Sequence, residues 1–298
     1  MRWERRASLD QPAQEIGVVA AGGRVYALGG FDASLQLSDA VRVYDPATDT
    51  WSRAAPLPRP VHHANVAAVG GRVYVVGAMV LDGFDFVAIG DVWAYDPAAD
   101  AWTPRTPMPA GTERGAAATA AVDGRIYVAG GLRGGQAVAD VSAYDPDADT
   151  WDTDLPPLPA PRDHLVGAAV DGVLYAIGGR NGAIDAVSDR VDAYAPGGGW
   201  TPRAPLPTAR GGCAAATVGG RIAVVGGEGN PDAPSGVFAA AELYDPAADA
   251  WTALPPPPTP RHGMGAAAVD GVVYVPGGAT RQGFAAVADV EALVGLAP

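Results

Sequence analysis

Six tryptophans, Trp3, Trp51, Trp102, Trp151, Trp200 and Trp251, recur along the chain at spacings of 48, 51, 49, 49 and 51 residues. A period this regular over the whole length restricts the chain to a repeat architecture. Each unit of about fifty residues is then one supersecondary element that buries its apolar surface only against its neighbours. Because the repeat runs end to end, residues 1–298 are expected to form one domain and not two.

One repeat, residues 62–105, can be read strand by strand. HHANVAAV is small and apolar, Gly70-Gly71 is a two-residue hairpin turn, and RVYVVG is a second strand. A loop follows, then DVWAYDP as a third strand. Asp-Pro-Ala-Ala-Asp makes the next turn, and AWTPRTPMP is the fourth strand. This is an antiparallel meander, with strands designated A to D. Its A–B turn recurs as Gly22-Gly23, Asp123-Gly124, Asp171-Gly172, Gly219-Gly220 and Asp270-Gly271. Strand B ends in paired glycines at 29–30, 130–131, 178–179, 226–227 and 277–278, and in Gly77-Ala78 in the second repeat.

The paired glycines, the Tyr-Asp-Pro triplet and the tryptophan at these spacings resemble the kelch repeat. The resemblance covers essentially the whole chain. It implies an all-β fold, a six-bladed kelch-type β-propeller of four-stranded antiparallel blades. The phase of the repeat adds a closure. Trp3 precedes the first strand A, and the chain runs out after strand C of the last repeat (VADVEALV). Residues 2–7 are therefore expected to supply strand D of the sixth blade. Tyr194-Ala195-Pro196 in blade 4, the missing triplet in blade 6 and Ala223 in strand B of blade 5 depart from the pattern only locally.

The net charge of −13 argues against nucleic-acid and anionic-membrane partners, and no apolar run is long enough to span a bilayer as a helix. Every one of the 20 basic residues is Arg. The single Cys213 cannot form an intrachain disulfide, and MRWERRASLD has no apolar leader core, so a cytoplasmic protein is expected.

A meander places A–B and C–D turns on one face of the disc, and B–C loops and strand-A starts on the other. The first face collects the turn aspartates, read as local turn chemistry. The second collects the candidate ligand-binding residues. Arg114, Arg162, Arg210 and Arg261 stand at one equivalent position before strand A, and Arg133, Arg180 and Arg281 in B–C loops. His62 and His262 start A strands, and Phe84, Phe86, Phe238 and Phe284 lie in B–C loops. Kelch propellers bind partners or substrates on this face, and the strand-start Arg position resembles one that holds carboxylates. The same arginines are equally placed to lock the ring by pairing with neighbouring blades. The long B–C loops of blades 2 and 5 are expected to overhang the channel as partial lids.

No metal site is expected. His63 and His164 share one register, His62 and His262 another, and successive strand residues point to opposite sides, so the four should not meet. Glu228-x-x-x-Asp232 invites comparison with the iron site of plant nitrile-specifier kelch proteins, but Gly236 stands where the imidazole belongs. No nucleophile elbow or phosphate-binding loop is present, and Cys213 reads as a packed thiol, so no cofactor is expected. The functional expectation is a ligand- or partner-binding propeller for a small anionic or polar molecule or an acidic peptide. The alternative is a cofactor-free isomerase or mutarotase, cyclase or lyase using His63, His164, Glu113 or Glu228 as acid or base. Six-bladed bacterial kelch proteins of this kind include sialic-acid mutarotases.

Overall fold

The computed structural model describes residues 1–296, in which six four-stranded antiparallel sheets form the blades of a propeller. Blade 1 comprises Gly17–Ala21, Arg24–Leu28, Val41–Asp45 and Thr50–Ala54, and blade 4 comprises Val166–Val170, Val173–Ile177, Val191–Tyr194 and Trp200–Pro202. Strand A is innermost, and each A strand touches the next around the ring, the last touching the first. The A strands read as small-residue runs, such as Ala214–Val218 (AAATV), because six of them must converge on one axis.

The sixth blade is completed from the other end of the chain. Arg2–Arg6 pairs antiparallel with Val290–Val294, placing Trp3 opposite Leu293. The expected closure by residues 2–7 is therefore present, one residue shorter.

The apolar core is divided among the seams between blades. Leu28, Val41, Val75 and Trp93 form the seam of blades 1 and 2, and Val225, Leu243, Val273 and Leu293 that of blades 5 and 6, with Trp3 packed against it. Each blade presents alternating apolar residues to both neighbours, so no blade has a core of its own.

The repeated Trp and one turn Asp staple these seams. The Trp51 indole donates to the Ala7 carbonyl at 2.8 Å, Trp102 to Ala55 at 2.9 Å, Trp151 to Thr106 at 3.0 Å and Trp251 to Ala204 at 2.9 Å. Asp49, Asp100, Asp149 and Asp249 each accept the Tyr hydroxyl five residues back and a backbone N–H just beyond strand D of the preceding blade. The reading of these four as local turn chemistry is corrected: they bridge blades. Asp45, Asp96, Asp145 and Asp245 do cap their own turns.

The blade 2 segment is not an irregular loop, and its Phe86 packs on the His62 ring at the mouth. Arg72–Asp82 and Asp85–Asp96 form one long hairpin, broken by a register shift between Val76 and Ala78, and its tip carries Phe84 fully into solvent.

Candidate functional site

At the channel mouth one residue of each blade, just before strand A, takes the left-handed backbone conformation. These are Glu15, His63, Ala116, His164, Gly212 and Gly263, with φ between 48° and 60°. Their amides form a closed circle. Glu15 N–H donates to Gly263, His63 to Glu15, Ala116 to His63, His164 to Ala116, Gly212 to His164 and Gly263 to Gly212, at 2.6 to 3.0 Å. Glycine takes this conformation freely, whereas a side chain costs about 1–3 kcal/mol. Blades 5 and 6 use glycine. Blades 1, 2 and 4 instead carry a carboxylate and two imidazoles there, and these meet over the axis.

His63 Nε2 lies 3.0 Å from Glu15 Oε2 and 2.9 Å from His164 Nε2. His164 Nδ1 is 2.5 Å from Asp163 Oδ1, and His63 Nδ1 is 2.6 Å from His62 Nδ1. Arg180 reaches in from its B–C loop, with Nε 3.2 Å from Asp163, Nη1 2.6 Å from Glu228 and Nη2 3.0 Å from His164 Nε2. His262 Nε2 donates to the Arg281 carbonyl at 2.9 Å, and its Nδ1 faces Glu15 Oε1 and Glu228 Oε2, each 3.5 Å away. Asp163, His62, His262 and Glu228 are buried, and Glu15 and Arg180 keep only about a tenth of their side chains exposed. On one flank Phe31 lies 4.6 Å and Phe86 4.4 Å from the His62 ring, centroid to centroid, and Phe284 stacks edge-on against Phe31. A cavity of about 150 Å³, lined by Glu15, His63, His164, Cys213 and small strand-A residues, occupies the channel at this point.

The charges of the cluster depend on one another. Burial would raise the Glu15 carboxyl, but the charge and hydrogen bond of His63, supported by His262 and His164, hold it below the usual carboxylate range. Burial would likewise raise Asp163, yet the hydrogen bond and charge of His164 and the charge of Arg180 lower it. Burial, then repulsion by His63, pushes the His62 imidazole down to about 3. Burial and Arg180 lower His164 against the pull of Asp163. At neutral pH the mouth therefore holds ionised Glu15 and Asp163 beside a neutral His62.

Of the sequence candidates, His62, His63, His164, His262, Arg180 and Glu228 are brought together. The expectation that the two histidine registers could not meet is corrected. Side-chain alternation holds for extended backbone, and the left-handed turn at His63 swings its ring back onto that of His62. The reading of Arg114, Arg162, Arg210 and Arg261 as ligand contacts is also corrected. All four are buried, and they donate to carbonyls at the end of strand B in their own blades. Three also hold carboxylates, Arg162 with Asp192, Arg210 with Glu242 and Arg261 with Glu291, while Arg114 reaches Ser142. They brace their own blades. Burial lowers Arg114 and Arg162 to about 10, which leaves them charged at neutral pH.

Glu113 stands apart, accepting the Gly111 amide at 2.8 Å in a groove that it shares with Phe86 and Arg133. Arg133 pairs with Asp140. Arg281 and Phe284 are exposed, Phe238 is half-buried, and Phe84 projects away from the cluster. The sequence places Asp163, like Asp82 and Asp85, among the carboxylates of this face open to acid or base work, whereas Glu15 enters none of the sequence candidates for binding or catalysis. The available signal was glycine at the equivalent positions 212 and 263, which marks a left-handed site where Glu15 needs a reason to stand.

The Kelch motif profile matches residues 14–58, 60–109, 113–154 and 209–258, which correspond to blades 1, 2, 3 and 5. The blades left unmatched, 4 and 6, lack the bridging Asp. The chain is 36% identical over 199 residues to the Kelch-like protein terF of Aspergillus terreus, a match that takes in 64% of this chain and 43% of that protein, so it spans less than half of the relative's length. The solved structure of YjhT superposes with a TM-score of 0.79 over 96% of both chains at 16% identity, a likeness of fold. By its blade pattern and these matches, the chain belongs to the Kelch-motif family.

Proposed function

We propose that this propeller binds a small polar ligand at the channel mouth formed by B–C loops and strand-A starts. One observation carries the reading: Glu15, His63 and His164 occupy left-handed positions that glycine fills in blades 5 and 6. Backbone strain tolerated to bring three titratable groups over an axis is a signature of a working site. The ligand class is narrower than the arginines alone suggest. Arg180 is the one guanidinium in the cluster and is held by Asp163 and Glu228. With Glu15 added, carboxylates outnumber cations, so the charge balance favours neutral polar or cationic ligands over anions and acidic peptides. A cytoplasmic setting belongs to the same proposal.

The test is a thermal-shift screen of polar metabolites against the intact chain and against Glu15→Gly and His63→Gly. These variants place glycine where the backbone favours it and so retain the fold. A ligand at a hundredfold excess over Kd adds about 2.7 kcal/mol of stability. The reading fails if no compound shifts the wild type, or if the shifts persist in both variants.

Catalysis without a cofactor is a second reading, favoured by the line Asp163–His164–His63. A carboxylate orienting one imidazole that meets a second is an arrangement for proton transfer. Isomerisation or elimination by the wild type and its loss in His164→Gln, with ligand binding kept, distinguishes this reading from binding alone.

A further inference from the structure

We infer that the channel mouth is a binding site for a divalent transition-metal ion of the zinc class, held by the Glu15 carboxylate and the Nε2 atoms of His63 and His164, with water completing the coordination. This does not rest on the polar-ligand reading, because the ion binds alone.

The donor atoms of Glu15, His63 and His164 all lie within 4.8 Å of one another. Four ligands on one tetrahedral zinc, at bonds of about 2.1 Å, stand about 3.4 Å apart. Glu15 Oε2 and His164 Nε2, at 3.0 and 2.9 Å from His63 Nε2, need only spread by a fraction of an ångström. The outer contacts are those that a metal-bound imidazole requires. Asp163 accepts from His164 Nδ1 at 2.5 Å, which leaves the Nε2 lone pair facing inward. His62 engages the Nδ1 atom of His63 in the same way.

A second, independent observation comes from atoms left without partners. His262 Nδ1 and Glu228 Oε2 are buried, make no hydrogen bond and lie 3.5 Å apart. His262 Nδ1 is also 3.5 Å from Glu15 Oε1. A buried carboxylate oxygen left without a donor, such as Glu228 Oε2, is stabilised by a cation placed near it. Imidazole with carboxylate suits zinc, iron or cobalt, and not calcium or magnesium, which take all-oxygen sets. Arg180 is the competing cation, with Nη2 3.0 Å from His164 Nε2. Its other nitrogens are anchored on Asp163 and Glu228, so the ion displaces this one contact and leaves the arginine in place.

The experiment titrates the chelator-stripped full chain with Co²⁺ and follows visible absorption. The expected result is one Co²⁺ per chain with the intense bands of four- or five-coordination, abolished by one equivalent of Zn²⁺. Glu15→Gln and His164→Gln should lose the bands, and Asp163→Asn should bind about 10- to 100-fold more weakly. A wild type that takes up no stoichiometric Co²⁺ overturns the inference. So does weak six-coordinate absorption that Glu15→Gln and His164→Gln retain. Should a variant fail to fold, proton NMR of the wild type decides. Paramagnetic shifts of the His63 and His164 rings on adding Co²⁺ support the site, and unshifted rings overturn it.

Discussion

Trp3 donates its indole N–H to the carbonyl of Pro255, 252 residues further along the chain, at 2.8 Å. The same bond recurs at each seam, but only here does it join the two ends of the chain, alongside the pairing of Arg2–Arg6 with Val290–Val294. Trp3→Phe, which keeps the packing and loses the bond, should cost about 1 kcal/mol. Trp3→Ala should cost about 2–3 kcal/mol, below a fully buried Trp because the side chain is half-exposed. Deleting residues 1–9 removes the whole strand and should lower stability beyond either. Urea unfolding of the three variants checks the order, and a deletion no worse than Trp3→Ala would show that the strand closes nothing.

The bridging aspartates give the fold a defined acid sensitivity. The Tyr144 hydroxyl, opposed by burial and assisted by the Thr106 amide, holds Asp149 below its ordinary value of 3.8. A carboxylate depressed in the folded state contributes stability that is present above its unfolded pKa and is lost as pH falls through the folded one. Asp149→Asn should therefore melt below the wild type at neutral pH, and the gap should narrow only as pH drops below about 4. Melting temperatures of the two proteins from neutral to strongly acid pH test this. A gap that stays constant assigns the loss to hydrogen-bond geometry and not to charge.

Arg162 should behave as a brace. It is buried, donates to Gly178 and Arg190 carbonyls at 2.7 and 3.0 Å and pairs with buried Asp192 at 2.6 Å. Arg162→Ala leaves Asp192 with only the half-exposed Arg190 as cationic partner and should cost about 3–5 kcal/mol. Arg162→Met with Asp192→Leu removes both charges and should recover much of that loss. Chemical denaturation of the single and double variants decides, and a single variant within a few tenths of wild type would return Arg162 to the surface.

The contrast between fold and site explains what could be read from sequence. The tryptophans, paired glycines and turn aspartates repeat because every seam poses the same packing problem, so one solution recurs and its period is visible. The closure by Trp3 was legible for the same reason, as a phase. The mouth is built from differences between blades. Arg162 and His164 are two residues apart and lie on one face by topology, yet one turns into the blade and the other over the axis. A left-handed backbone at His164 decides this, and its trace in the sequence is indirect: the glycines at 212 and 263. Counting arginines on a face therefore suggested an anion, whereas counting what those arginines touch removes most of them from the mouth.

The glycine ending strand B is held by contact as well as by conformation. A Cβ on Gly178 would lie 2.7 Å from the Arg210 carbonyl oxygen of the next blade, and its φ is +63°. Gly22, in an A–B turn, has a similar φ of +57° with nothing within 4 Å of the equivalent Cβ. Gly22→Ala should then cost only the left-handed strain, about 1–2 kcal/mol. Gly178→Ala carries the same strain and must also push apart a seam where the Gly179 amide bonds that very carbonyl at 2.9 Å. It should cost at least about 2 kcal/mol more than Gly22→Ala. The difference between the two in urea unfolding measures the seam contact alone. Equal losses would mean that blades 4 and 5 can separate by a few tenths of an ångström without penalty.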